Sequence, residues 1–465
     1  MTTTSISRPT PMMSQTNTGA GPYFDLIDVG HPDYVALIEA DTAFWILVSR
    51  REALDYLFGP DLLPAFLNRQ AELQQDLDRV RFGLLPAAVY VNPTERCNLN
   101  CSYCYLPTDL RRKGKDMSAG RLLEALSLLA DFFKGILPEG ARPQIVFHGS
   151  EPLLAREAVF QGIERFGPTF RFGVQTNATL LDKEARDFLT SRGVSIGISL
   201  DGHCAAVADR TRHTWAGGGV FTQVVRNVEE LADYAGFNVI ATITRENVAY
   251  LPELVEFLHR RGVANALLNP VRGTQSGGRA LMPDPQGLAQ NFFKALDRSY
   301  ELFEQTGHRL VIGNFANILL GLVAPGARRL MCDISPCGGG RCFFALTATG
   351  EVTPCSEFVG FPEFYGGNLF DDPLEEILET APFRAMKSRR VEDIEPCRRC
   401  ALRHFCGAPC PAEVYAFRGS IHGPAPLCEF YAAQARYAFR TIADGRLEAF
   451  LWPGWQEGLS EIRVI

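Results

Sequence analysis

An α/β chain that ends in a cysteine-rich domain is the fold class this sequence predicts, on three observations. Strand-like and helical periods alternate from Ala87 to about Pro270. Thirteen cysteines fall mainly into two clusters, one at the head of that alternation and one behind it. Composition is that of an ordinary globular protein, 46% hydrophobic and 21% charged, which excludes collagen-like and wholly disordered chains. At 465 residues the chain is long enough for two to four domains, so a small disulfide-stapled module is excluded too. Forty-six Lys and Arg against 53 Asp and Glu leave a net charge of −7, with no basic footprint for nucleic acid or anionic lipid.

Residues 1–22 are rich in Ser, Thr and Pro and read as a disordered tail. They lack the basic start and apolar core of a secretory signal, so a cytoplasmic location is expected and the clustered cysteines read as metal ligands rather than bridges. Residues 23–86 form a small α+β extension with a strand-like run at Ala43–Val48 and a Leu-rich helical stretch at Asp61–Val80.

Residues 87–270 carry strand-like runs at Ala87–Val91, Gln144–His148, Arg171–Thr176, Val194–Leu200, Asn238–Thr244 and Ala264–Asn269. Helical periods at Ala119–Phe133, Asp182–Arg192, Val224–Asp233 and Leu251–Arg261 separate them. Such repetition implies a mainly parallel sheet or barrel, with ligands at the carboxyl ends of its strands. Residues 271–331 read as a Gly-rich stretch, Arg272–Arg279, and a helical linker from Pro285 to about Thr306. Residues 332–430 form the cysteine-rich domain, and 431–465 complete a helical tail that starts near Glu429. The most apolar stretches, such as Ile318–Ala324, fall well short of the ~18–20 residues that span a bilayer.

Cys97, Cys101 and Cys104 form a C-x3-C-x2-C array on a loop leaving the first of these strands. Three thiolates can hold a four-iron cluster and leave one iron without a protein ligand, whereas a closed zinc site wants four ligands. With Tyr103 before the last thiol, the segment resembles the radical S-adenosylmethionine (SAM) superfamily. The resemblance implies a partial (β/α)6 TIM-like barrel, a [4Fe-4S] cluster on these thiols and SAM bound to its free iron. It also implies reductive cleavage of SAM to a 5'-deoxyadenosyl radical that takes a substrate hydrogen.

Further segments resemble the family's SAM contacts. Gly149-Ser150-Glu151-Pro152 resembles the Gly-Gly-Glu-Pro motif that meets the SAM amino group, with Ser150 in place of the second glycine. Gln175-Thr176-Asn177 and Ser199-Leu200-Asp201-Gly202 resemble segments touching ribose and the methionine carboxylate, and Arg212 resembles the arginine that pairs with that carboxylate. Read singly, Gly202 is a turn, Glu151 a helix N-terminal acid and Arg212 a surface charge. Their succession along one alternating series favours the functional reading.

The C-terminal cysteines read Cys337-x4-Cys342-x12-Cys355, then Cys397-x2-Cys400-x5-Cys406-x3-Cys410, then Cys428, with Gly350 suited to a hairpin turn. Eight thiols fit two four-ligand sites, either zinc knuckles or iron-sulfur clusters. The spacing resembles the SPASM domain of peptide-modifying radical SAM enzymes. That resemblance places one auxiliary [4Fe-4S] cluster on Cys337, Cys342, Cys355 and Cys410 and a second on Cys397, Cys400, Cys406 and Cys428. Cys204 and Cys332 are left unassigned.

Enzymes with this layout oxidise peptide or protein side chains. The sulfatase-maturating members carry an aspartate directly after the third SPASM cysteine; here that place is Ser356, and the nearest carboxylate, Glu357, is the candidate base. The expected activity is formation of a thioether cross-link in a ribosomal peptide. Formylglycine formation on a sulfatase is the alternative, and a non-catalytic iron-sulfur electron carrier is the reading from another class. Expected partners are a peptide or protein substrate and a flavodoxin- or ferredoxin-type reductant, with no nucleic acid and no membrane. The extension before Ala87 could grip a leader peptide by strand addition or serve as a scaffold covering one barrel end.

Overall fold

The computed structural model describes residues 22–406 and 410–457, so nearly all of the expected disordered tail lies outside the described residues. Three strands, β1 (Phe24–Ile27), β2 (Tyr34–Glu39) and β3 (Phe44–Ser49), form an antiparallel sheet in the order β1-β2-β3. The sequence reading anticipates only β3. The first two are separated by Gly30 and Pro32, and β1 pairs with β2 as β2 pairs with β3. The helical stretch after them divides at Asn68-Arg69 into helices at Leu62–Leu67 and Gln70–Phe82.

The alternating region gives six parallel strands: β4 (Ala88–Val91), β5 (Gln144–Phe147), β6 (Arg171–Thr176), β7 (Ser195–Ser199), β8 (Phe237–Ile243) and β9 (Asn265–Pro270). Their order follows the chain, each strand beside its predecessor, as right-handed βα crossovers produce. The helices between them start where side chains cap free N–H groups. Ser118 accepts from Arg121 N and Asp182 from Ala185 N. The later helix Pro285–Thr306 has Asp284 as N-cap, Pro285 in its first turn and Gly307 in the left-handed conformation at its end.

The sheet does not stop at β9. β10 (Val311–Ile312) pairs parallel with β9 at one edge, while β11 (Phe343–Leu346) pairs parallel with β4 at the other. β12 (Glu351–Thr353) and β13 (Gly367–Asn368) extend that second edge antiparallel. The cysteine-rich segment therefore grows out of the barrel sheet, and its first thiols are held at fixed positions relative to the mouth of the barrel.

The extension is tied to both neighbours. Arg81 at the end of its last helix donates to Ser335 O at 2.9 Å and forks onto Glu392 at 2.7 and 2.9 Å. Trp45 on β3 donates to Leu322 O at 3.2 Å and packs edge-on against Phe439. The tail helix Cys428–Ala443 lies on Pro285–Thr306, with Phe293 stacked on Tyr437 at 4.4 Å. Among the described residues no helix is long and apolar enough to cross a membrane.

Candidate active site and auxiliary cysteine sites

Leaving β4, the chain turns through Cys97, Cys101 and Cys104, all half-buried and all free. Asn100 N and Ser102 N bond to His213 O and Thr211 O, which fastens this loop to the segment carrying Arg212. Burial pushes the Cys97 thiol up to about 12 and Cys104 to about 11 and raises Cys101 too, and Cys101 disfavours ionisation of both other thiols. Such thiols are poor isolated nucleophiles and need a metal to become thiolates.

Gly149, after β5, has φ +98°, and a side chain there would meet Asn92 at 2.4 Å, so the tight turn requires glycine. Ser150 turns its hydroxyl to Glu95 O at 2.7 Å, which joins this turn to the cysteine loop. Glu151 is fully buried and accepts from Leu153 N at 3.1 Å, Thr176 Oγ1 at 2.7 Å and Asn177 N at 2.8 Å. Three of roughly four carboxylate acceptor sites are thus filled internally, so Glu151 orders the end of β6 and keeps one site spare. Burial raises its carboxyl, and those hydrogen bonds together with Arg212 oppose the rise. Asn177, held by Glu151, reaches Asn98 Oδ1 at 2.9 Å and the Cys97 sulfur at 3.8 Å.

Tyr103, Asp201 and Arg212 come together although they are far apart in sequence. Tyr103 donates to Asp201, Arg212 Nη1 donates to the Tyr103 oxygen at 2.6 Å, and Arg212 lies 3.6 Å from Asp201. Arg212 is buried, and its Nε has no hydrogen-bond partner. An unpartnered buried guanidinium N–H is costly and calls for an acceptor that binds from outside, such as a carboxylate. Gln175 and Ser199 are half-buried on the sheet face that also carries Gly197, where a side chain would meet Ile240 at 2.9 Å.

Several residues that sequence reasoning missed face the same mouth. His148, just past β5, stacks on Tyr105 with rings 6.1 Å apart, and burial lowers its pKa to about 4, so it is neutral. Arg272, just past β9, donates to Tyr431 at 2.8 Å and lies 3.5 Å from the fully buried Glu413. Both follow barrel strands directly, and strand-end position was the signal available for finding them. Glu357 faces Arg272 and Glu413; burial pushes it up to about 7, Arg272 opposes and Glu413 reinforces. Its contact to Thr274 Oγ1 is 3.5 Å, while Ser356 is turned into the interior.

Cys337 lies within electrostatic reach of Cys342, Cys355 and Cys410, and Cys332, which the sequence left unassigned, joins Cys337, Cys355 and Cys410. Cys397, Cys400 and Cys428 form a separate group, and Cys406 ends the loop that follows Cys400. Cys410 thus lies with the first group even though it follows Cys406 by only four positions. Among the described residues no three His, Cys, Asp or Glu side chains converge on a point as a single metal ion requires.

The sequence pattern of the Radical SAM superfamily matches residues 91–258, and that of an iron-sulfur cluster-binding domain, SPASM, matches 337–401. An uncharacterised protein of Archaeoglobus fulgidus is 41% identical over 87% of this chain and 91% of its own length. A PqqA peptide cyclase of Rhodopseudomonas palustris is 27% identical over 79% of this chain and 97% of its own. A cysteine-type anaerobic sulfatase-maturating enzyme of Clostridium perfringens is 23% identical over 70% and 89%. Among solved structures, native anSMEcpe with bound AdoMet and Cp18Cys peptide superposes with a TM-score of 0.64 at 20% identity. That superposition covers 78% of this chain and 99% of the other and shows a shared fold.

Proposed function

Because the chain belongs to the radical SAM superfamily and carries a SPASM domain, we propose that it oxidises a side chain of a ribosomally made peptide to form an intramolecular thioether. It is a radical SAM enzyme acting on peptides, and its cofactors are SAM and [4Fe-4S] clusters. In this reading Cys97, Cys101 and Cys104 hold the cluster that meets SAM. Cys337, Cys342, Cys355 and Cys410 hold one auxiliary cluster, and Cys397, Cys400, Cys406 and Cys428 the other. When bound, these groups supply hydrogen-atom abstraction from carbon and a sink for the surplus electron.

The protein's own residues do the rest. Arg212 offers its free Nε–H to the methionine carboxylate and is kept in place by Tyr103 and Asp201. Glu151 fixes the turn at Asn177 and presents its remaining acceptor site to the SAM ammonium. Gly149, Ser150, Gln175 and Ser199 would help to hold the nucleoside of SAM. At the barrel mouth Glu357 takes the proton of the substrate thiol, with Arg272 and Glu413 beside it.

The observation that carries this reading is an open three-thiol loop after β4 together with Cys342 and Cys355, which bracket β11 and β12 on the same sheet. The extension supports a peptide substrate. Among the described residues β3 pairs only with β2, so its other edge can accept a leader strand. Leu54, Phe58, Leu63 and Leu67 are exposed on the helices that follow, Phe58 at 82%.

Co-expression with a small Cys-containing peptide encoded beside the gene, read by mass spectrometry, tests the proposal. A loss of about 2 Da per link, with one thiol becoming resistant to alkylation, is expected for two removed hydrogens. The likeness to sulfatase-maturating enzymes favours a second reading. Turnover of a sulfatase-derived Cys or Ser peptide to an aldehyde, with no link in the encoded peptide, would establish it instead. A flavodoxin- or ferredoxin-type donor is the proposed reductant.

A further inference from the structure

Arg389, at the end of the helix Ala381–Ser388, is 1% exposed and among the largest fully buried side chains of the protein. Its Nε donates to Ile421 O at 2.9 Å and its Nη1 to Pro336 O, the carbonyl just before Cys337. Its Nη2 is buried with no hydrogen-bond partner. Among the described residues no carboxylate lies within ion-pair distance of it. A guanidinium taken this far from water needs a compensating anion. The acidic groups whose fields reach it are the thiols of Cys337, Cys410 and Cys397, which belong to both four-thiol groups.

Other arginines reinforce one of those groups. Arg341 donates to Arg389 O at 2.7 Å, has an unpartnered Nε and interacts with Cys337 and Cys342; Arg328 also reaches Cys342. Among the described residues Arg389 is the arginine within electrostatic reach of thiols of both groups. Of the groups that could compensate it, a thiolate-ligated cluster is the one that becomes more negative when it accepts an electron. A fixed positive charge nearby stabilises that reduced form, and an N–H donor to sulfur acts in the same direction.

We propose that Arg389 is a positioning residue shared by the two auxiliary clusters, its guanidinium raising the reduction potential of both so that they accept the electron released in peptide oxidation. The inference rests on the ligand assignment proposed above and adds a role for a residue outside the ligand sets.

The test is an anaerobic redox titration of the reconstituted full-length protein and its Arg389→Gln and Arg389→Lys variants. Auxiliary signals are recognised by their insensitivity to added SAM, and iron is counted in each sample. Arg389→Gln is expected to move both auxiliary midpoints negative by at least about 59 mV, a tenfold change in a one-electron equilibrium. Arg389→Lys, which keeps the charge, should lie nearer the parent, and the SAM-sensitive signal should not move. Parent-like midpoints in an Arg389→Gln protein with full iron would overturn the proposal, and so would a shift in only one auxiliary cluster. If Arg389→Gln loses auxiliary iron, Arg389→Lys decides: retained iron with near-parent midpoints supports the charge role, and equal loss overturns it. A parent protein that binds zinc and shows no cluster absorption would refute the ligand assignment instead.

Discussion

Around Cys97, Cys101 and Cys104 the protein supplies three thiols, a buried arginine with an unpartnered Nε and a carboxylate with acceptor capacity to spare. Around Cys337, Cys342, Cys355 and Cys410 it supplies four thiols, walled by Arg341, Arg328 and Arg389. In the proposed assignment the first surroundings await a ligand with a carboxylate and an amine, whereas the second offer a full set of four thiols with positive charge beside them. Coordination number and nearby charge, rather than thiol chemistry, separate a site that reacts from one that stores an electron.

The contrast predicts unequal responses to substitution. Cys101→Ala should abolish reductive SAM cleavage, by at least about a thousandfold in 5'-deoxyadenosine formed, because two thiolates do not hold the cluster. Retained cleavage in that variant would show that the radical chemistry starts elsewhere. Arg212→Gln should weaken SAM binding by roughly 10- to 100-fold, the worth of a charge-assisted hydrogen bond, at unchanged iron content. Equilibrium dialysis with labelled SAM reads the affinity directly. Glu151→Gln keeps the shape but loses the charge, and about a tenfold loss of SAM affinity with full iron is expected. Parent-like affinity would confine Glu151 to ordering the turn at Asn177.

The smallest effect lies away from both sites, at the Arg81–Glu392 fork that ties the extension to the cysteine-rich segment. Burial acts to raise the Glu392 carboxyl, but the hydrogen bonds and charge of Arg81 hold it down at about 2. Because the folded value is depressed, the stabilisation is complete above its ordinary value of 4.5 and is lost as pH falls towards 2. Glu392→Gln should therefore cost roughly 1–3 kcal/mol at pH 7 by denaturant unfolding, and the gap should narrow in acid. A pH-independent gap would mean that packing, not charge, accounts for the difference.

Much of the fold was legible because parallel strands buried on both faces are continuous apolar runs, and helices with Ser118, Asp182 or Asp284 at their starts announce themselves. β1 and β2 were not legible because apolar runs as short as Phe24–Ile27 and Tyr34–Glu39 read as helix or strand alike until they pair. Of the candidate site, cysteine spacing and strand-end motifs carried the first loop. They could not disclose that Tyr103, Asp201 and Arg212 meet, because that contact closes across separate strands. Glu413 escaped for the same reason, His148 and Arg272 had only their strand-end positions to mark them, and Arg389 escaped because a buried arginine looks like any surface one in a one-dimensional string.

The division into one open and two closed sites is tested most directly by counting iron in the anaerobically reconstituted parent and in its Cys97/Cys101/Cys104→Ala variant. Three four-iron clusters predict about twelve iron in the parent and about eight in the variant, with SAM cleavage lost. Iron that falls well below eight, or a parent that holds tightly bound zinc without cluster absorption, would contradict the account.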